Sequence, residues 1–381
     1  MDGEGDSVMC RVMDNRWLRV LALLVGLLIS LPWELHGLLT QSVKLAVAAA
    51  MLTYAVMPVV IGLAHKLGAL DMPSARRVHA QPTPRIGGLA VLFSVNLTLL
   101  LNFNYSLELK GVCLSALIVG ILSLWDDIEE LAASTKLFGQ LVAIGVLLAF
   151  GVHIDFAPDT WWGDSLEYFV TAFWVIGITN AYNFLDGING LAASLAMTVC
   201  ILMAMLAWNT SQTYMLLLCL SMAGAALGFL PDNARYDEPA RIFLGDVGST
   251  YLGWMMASVA VMGDWSEDSA IKAYAAPLLI FSVMIFDMVY TTIARVWRGD
   301  VTGLRSWIEY VGRDHLHHRL MALGFSPAQA VTMIVAFSLL IGLAALALVK
   351  GNHITVFLLL AQSVVFYVIL SALMIKSQNG R

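Results

Sequence analysis

Apolar residues occur along this chain in long blocks, separated by short polar stretches rich in Gly, Pro, Asp, Asn and Arg. The blocks fall near 17–36, 44–64, 87–103, 111–125, 137–152 and 167–182, then near 190–208, 213–230, 247–263, 271–294, 329–349 and 354–375. About 20 consecutive apolar residues cross a bilayer as a helix. The pattern therefore predicts an all-α polytopic membrane protein with 11–12 transmembrane helices. The first block is the weakest, because Arg19, Pro32, Glu34 and His36 interrupt it. Residues 1–40 read as an N-terminal extension or a weak extra span, and residues 41–381 as a single transmembrane domain.

Composition agrees. Of the 381 residues 59% are hydrophobic and 13% charged, against about 25% charged in soluble chains. A soluble enzyme, a disordered chain and a basic nucleic-acid binder are all excluded. The four cysteines, Cys10, Cys113, Cys200 and Cys219, have no paired spacing and read as buried thiols. Of the 21 basic residues, Lys44, Lys110, Lys272 and Lys350 fall on one side of the predicted bilayer and the other 17 on the opposite side. Basic loops stay in the cytosol, so segments 65–86, 126–136, 183–189, 231–246 and 295–328 are expected there. Trp161 and Trp162, in the longest opposite loop, read as interfacial anchors.

The unusual polar residues gather in those cytosolic segments. Arg76, Arg77, His79 and Arg85 precede the pair Gly87-Gly88, where basic side chains and exposed N–H groups at a helix start suit phosphate; a basic anchor with a Pro-rich turn fits equally. Asp126-Asp127, followed by Lys136 and Gln140, places adjacent carboxylates at the end of an apolar helix. Such a pair is costly beside hydrocarbon without a cation, and Mg²⁺ uses one or two carboxylates plus substrate phosphates. Asn183, Asp186 and Asn189 alternate with glycines between two apolar helices. Asp246 stands between glycines at a helix entrance, where neighbouring N–H groups suit phosphate, and Phe243 offers a stacking face for a base. In Asp314-His315-Leu-His317-His318-Arg319, His315 and His318 are spaced to share a helix face while His317 points elsewhere. Zinc, phosphate and a plain basic loop all fit that stretch. Asp287, inside an apolar block, is expected to pair with Arg295 or to serve the site. A transporter would instead hold its polar groups near the midplane and show inverted repeats.

Taken together, Asp71 to Gly88, Asp126-Asp127 with Lys136, Asn183-Phe-Leu-Asp186-Gly-Ile-Asn189-Gly, Phe243-Leu-Gly-Asp246-Val-Gly-Ser and His315-Leu-His317-His318 resemble the polyprenyl-phosphate N-acetylhexosamine-1-phosphate transferases, glycosyltransferase family 4. The resemblance covers roughly 44–375, and its wording is nearest the N-acetylglucosamine-1-phosphate branch. It implies a multi-pass enzyme of the bacterial inner membrane whose active site, on cytosolic loops, moves a sugar 1-phosphate from a UDP-sugar to undecaprenyl phosphate. UMP is released, Mg²⁺ (or Mn²⁺) is required, and the step opens cell-surface polysaccharide synthesis. By the same resemblance, Asp126, Asp127 and Asp246 are catalytic, and Asp127 and Asp246 hold the metal. Arg76, Arg77, His79, Lys136, Asn183, Asp186, Asn189, Phe243, His315, His317, His318 and Arg319 are expected to bind substrates. The expected partners are these two substrates and the bilayer, with no nucleic acid, and a homodimer is possible. Asn189 departs from the family, which usually has a second aspartate there.

Overall fold

The computed structural model describes residues 4–31, 37–72, 82–102, 106–236, 238–266, 268–303, 306, 312 and 314–379. Arg76, Arg77 and His79 lie outside these residues. The described chain forms α1 (Glu4–Ser30), α2 (Leu38–Leu67), α3 (Gly88–Asn102), α4 (Leu107–Ile128), α5 (Ala133–Ala149), α6 (Trp161–Leu185) and α7 (Leu191–Asn209). It continues through α8 (Thr213–Asn233), α9 (Gly245–Met262), α10 (Ala270–Ile280), α11 (Ser282–Arg298), α12 (Leu316–Ala322), α13 (Pro327–Lys350) and α14 (His353–Asn379). The strands β1 (Leu70–Asp71) and β2 (Thr83–Pro84) pair antiparallel. The sequence supplies the helix starts. Ser106 and Thr160 accept the N–H groups of Leu109 and Gly163, and Ser326 with Gln329 forms a capping box ahead of α13.

The described residues of each apolar block are mostly helical, as hydrocarbon requires of backbone polar groups. Among the described residues, six helices are long and apolar enough to cross a membrane: α2, α4, α7, α8, α13 and the 353–375 part of α14. Together α10 and α11 make a seventh if they form one span, bent by 72°. The protein is a multi-pass membrane protein. Helices α3 and α5 have 15 and 17 residues, while polar groups such as Asn180 and Asn183 in α6, and Asp246 and Ser249 in α9, lower the hydropathy of those helices. Leucines, valines and phenylalanines remain exposed on the outer faces, among them Phe357, Val364 and Val368 on α14, where lipid replaces water. Cys113, Cys200 and Cys219 are buried free thiols, as expected.

The block at 271–294 is not one straight helix. Pro277 cannot donate to the ladder, and the chain turns at Phe281 between α10 and α11. Tyr367 donates to Ser282 Oγ just past the turn (2.5 Å). The redirected α11 carries Asp287 and Arg295 to the histidine segment.

Candidate active site

Two helix ends and two helix starts meet around the acidic residues. Asp126 and Asp127 close α4, Lys136 opens α5, Asn183 lies in the last turn of α6, and Asp246 opens α9. Lys136 Nζ lies 3.0 Å from Asp246 Oδ2 and also contacts Asp126 Oδ2. Asn183 Nδ2 donates to Asp246 Oδ1 (3.1 Å) and to Ser249 Oγ (2.7 Å). Asp126 Oδ1 accepts the N–H of Leu131 (2.8 Å), which folds the chain back after α4.

Asp127 has a different role from its neighbour. Its carboxylate oxygens accept the N–H groups of Asp246 (3.1 Å) and Val247 (2.8 Å), capping the positive end of α9. The N–H groups expected to face phosphate are therefore occupied by Asp127. Those of Gly87 and Gly88 are occupied as well, donating to Phe243 O (2.9 Å) and Leu244 O (2.7 Å). The sequence alone leaves both segments open to phosphate. Their backbone donors instead tie the 84–88 and 243–247 segments together, since buried N–H groups must be satisfied. Phe243 N donates to Pro84 O (2.8 Å) in the same seam, and its side chain is half-buried. Gly245 sits at φ +74°, where a Cβ would fall 1.7 Å from Arg85 O and 2.8 Å from Asp127 Oδ2. Arg85 Nε in turn donates to Asp127 O (2.8 Å).

The turn after α6 brings Asp186 and Asn189 to the same end of the bundle, both half-buried. Burial, and then the charge of Asp246, lift the Asp186 carboxyl to about 7. Asn233, at the end of α8, accepts the N–H of Gly190 (2.7 Å) and donates to Ile242 O (2.9 Å). It thus joins this turn to the segment holding Phe243 and Asp246.

The histidines sit opposite the turn. His315 precedes α12, its Nδ1 lies 2.7 Å from Asp287 Oδ2, and the other oxygen of Asp287 accepts the N–H of Leu316. Asp287 thus turns to the 315–316 segment, where the sequence offers Arg295 as one partner and the site as the other. That guanidinium makes a bidentate bridge to Asp314 (2.9 and 2.6 Å) and lies 3.3 Å from His315 Nε2. The bend before α11 explains the difference, because it aims both residues of α11 at the 314–316 segment. His317 is the most enclosed of the three histidines, not the one turned away. It lies against Gly187, whose added Cβ would meet His317 Nε2 at 2.2 Å. Neither ring nitrogen of His317 has a hydrogen-bond partner among the described residues. Burial, then the neighbouring His318 and His315, hold it well below the usual histidine range, so the ring is neutral. The His315 ring stacks on Phe184 (5.3 Å), and Arg319 lies over the Tyr290 ring (4.9 Å) while donating to Asp314 O.

Sequence reasoning does not assign Asn233, Ser249, Asp314 or Arg298, and it offers Arg85 to phosphate, where the fold gives it to Asp127 O. Their signal was present, since each is a polar residue at an apolar helix end or inside a quoted motif, but the partners lie far away in sequence. Asp314 yields a prediction. Burial opposes its charge, yet hydrogen bonds and charge from Arg295 and Arg298 prevail and hold the carboxyl down at about 2. This stabilisation is present above the unfolded value of about 4 and is lost as pH falls toward 2, a contribution of about 2 kcal/mol. Thermal unfolding in detergent should show Asp314→Asn less stable than the native protein at pH 7, with the difference shrinking as pH falls below about 4 and closing only near pH 2.

Magnesium can be tested against the donors present. Among the described residues no three His, Cys, Asp or Glu side chains converge on a metal position. Asp126 and Asp246, however, already flank a cation, the Lys136 ammonium. Carboxylate oxygens are the hard donors that suit a Mg²⁺ taking most of its shell from substrate and water.

A membrane-embedded helical bundle whose carboxylates, amides, lysine and histidines collect at one end is a fold and site suited to charged substrates at the bilayer surface. Residues 109–264 match the family model described as glycosyl transferase family 4. The chain is 31% identical to a probable undecaprenyl-phosphate N-acetylglucosaminyl 1-phosphate transferase of Bacillus subtilis, over 80% of this chain and 85% of the relative. It is 32% identical to a decaprenyl-phosphate N-acetylglucosaminephosphotransferase of Mycolicibacterium smegmatis, over 78% and 79%. It is 28% identical to a phospho-N-acetylmuramoyl-pentapeptide-transferase of Bacillus pumilus, over 72% and 85%. The chain belongs to the polyprenyl-phosphate N-acetylhexosamine-1-phosphate transferases, glycosyl transferase family 4.

Proposed function

We propose that this protein transfers N-acetylglucosamine 1-phosphate from UDP-N-acetylglucosamine to undecaprenyl phosphate, with UMP as leaving group. This would be the first membrane step of a cell-surface polysaccharide, carried out at the cytoplasmic face of the bacterial inner membrane. The reading is carried by the convergence of Asp126, Asp246, Asn183 and Lys136 at one end of the bundle, and it is supported by relatives named for this sugar and this lipid class.

A lipid phosphate oxygen forms a bond to the β-phosphorus while the bond from that phosphorus to the UMP oxygen breaks. The lipid phosphate is largely ionised at pH 7, its second pKa being about 6, so no strong base is required. The residues therefore serve mainly position and charge. Asp246, with Asp126 or Asp127 beside it, would hold the Mg²⁺, which when bound neutralises the diphosphate. Lys136, whose side chain is partly open to the site, donates to a phosphate oxygen, and Asn183 orients the Asp246 carboxylate. Asp126 orients the lipid phosphate. Phe243, Asp186 and Asn189 line the uridine and sugar side, and His315, His317, His318 and Arg319 face the diphosphate. Arg76, Arg77 and His79, outside the described residues, are assigned to substrate binding from the sequence motif alone.

Purified protein with UDP-N-acetylglucosamine, undecaprenyl phosphate and Mg²⁺ is expected to release UMP. Chelation should stop the release, and Mg²⁺ should restore it. UMP from UDP-muramoyl-pentapeptide but not from UDP-N-acetylglucosamine would overturn the sugar, and no UMP from any UDP-N-acetylhexosamine donor would overturn the function.

A further inference from the structure

Helix α1 contributes an interaction that the site described above does not explain. Arg19 is 8% exposed and both of its terminal nitrogens are engaged. Nη2 bonds both oxygens of Asp232 (2.7 and 2.9 Å), Nη1 donates to Tyr54 O (2.8 Å), and the guanidinium lies 4.3 Å from the centroid of the Tyr54 ring. Asp232 is fully buried in the last turn of α8, 213 residues away in sequence. An anchoring role for α1 would account for the ion pair alone. It would not account for what Asp232 holds on its other side.

Asp232 Oδ1 also accepts from Arg241 Nη1 (3.2 Å), and Asp232 O accepts the N–H of Arg241 (2.9 Å). The next residue is Asn233, which bridges Gly190 N and Ile242 O. A single helix end therefore sets the spacing between the turn carrying Asp186 and Asn189 and the segment carrying Phe243 and Asp246. Its carboxylate is fixed from behind by Arg19. A buried charge that loses its partner relaxes toward water or another cation, and here Arg241 is the other cation within reach.

We propose that Arg19 is a positioning residue for the nucleotide-sugar side of the site, acting through Asp232 and Asn233. The N-terminal helix is then part of the enzyme's working structure and not an accessory span. This inference rests on the transferase reading for its substrate side.

The test is steady-state kinetics of the full chain in detergent, using whichever UDP-sugar the native enzyme turns over, beside Arg19→Met and Arg19→Lys. In Arg19→Met the KM for the UDP-sugar is expected to rise roughly tenfold, the scale of losing one positioning contact. The KM for undecaprenyl phosphate should stay within twofold, and Arg19→Lys should fall between Arg19→Met and the native enzyme. If Arg19→Met does not fold, Arg19→Lys alone should still show the one-sided rise in KM. Native KM values for both substrates, with only a lowered unfolding temperature, would reduce Arg19 to an anchor and overturn the proposal. Equal loss toward both substrates would do the same. Absence of turnover by the native enzyme with every UDP-N-acetylhexosamine would overturn the transferase reading, and the inference with it.

Discussion

Asp246→Asn is expected to lower kcat by roughly 10²–10³-fold, comparable to removing a preorganised charge-stabilising group. Protein yield and unfolding temperature should change little. Asp246 receives Asn183 Nδ2 on one oxygen and Lys136 Nζ on the other; an amide oxygen keeps one of these bonds, and because the Asp246 side chain is 33% exposed, water can take up the donor that the NH₂ displaces. The variant therefore removes the negative charge while keeping much of the geometry. UMP release at saturating Mg²⁺ is the measurement. Partial recovery at higher Mg²⁺ would mark lost metal affinity, and turnover near the native rate would remove Asp246 from the metal assignment. Asp127→Asn tests the other half of the expected metal pair. Its carboxylate accepts two N–H groups at the start of α9, and an amide oxygen can replace only one acceptor while its NH₂ meets the second donor. That variant should lose both activity and unfolding temperature, whereas Asp246→Asn should lose activity alone.

Gly245→Ala is expected to be the most damaging small substitution in the site. The left-handed backbone at φ +74° costs an alanine about 1–2 kcal/mol. The added methyl would also meet a backbone carbonyl, Arg85 O, at 1.7 Å. A carbonyl cannot rotate away as a side chain can, so the 84–88 and 243–247 segments must separate, adding roughly 1–3 kcal/mol of overpacking strain. Separation moves Arg85, Asp127 and Asp246 together. Folded yield in detergent and UMP release should both fall sharply, and a normal yield with normal turnover would show that the seam is not rigid.

Much of the molecule can be read from one dimension. The apolar blocks locate the helices, because a bilayer demands long apolar segments with internally satisfied backbones. The motifs locate Asp126, Asp127, Asn183, Asp186, Asp246 and His315–His318, because carboxylates and histidines beside hydrocarbon need a reason. The N-terminal segment resisted the same reading. Arg19 breaks its hydropathy, and only the fold reveals that its charge is matched by Asp232 in a buried pair. The 271–294 block likewise hides the bend at Phe281, which depends on how α10 and α11 pack and not on local hydropathy.

Individual roles within the motifs also required the fold. Adjacent aspartates look equivalent in sequence, yet Asp126 turns to Lys136 and Asp127 to the start of α9. The glycine-flanked N–H groups look available for phosphate, yet they close the seam between two distant segments. His317 looks displaced from its neighbours, yet it is the ring enclosed against Gly187. By itself, then, the sequence determines that this is a helical membrane protein and names its chemical groups, since burial and charge costs act residue by residue. Which groups face each other was decided by tertiary structure alone, because hydrogen bonds and ion pairs act over a few ångströms between residues that the chain separates by up to 213 positions.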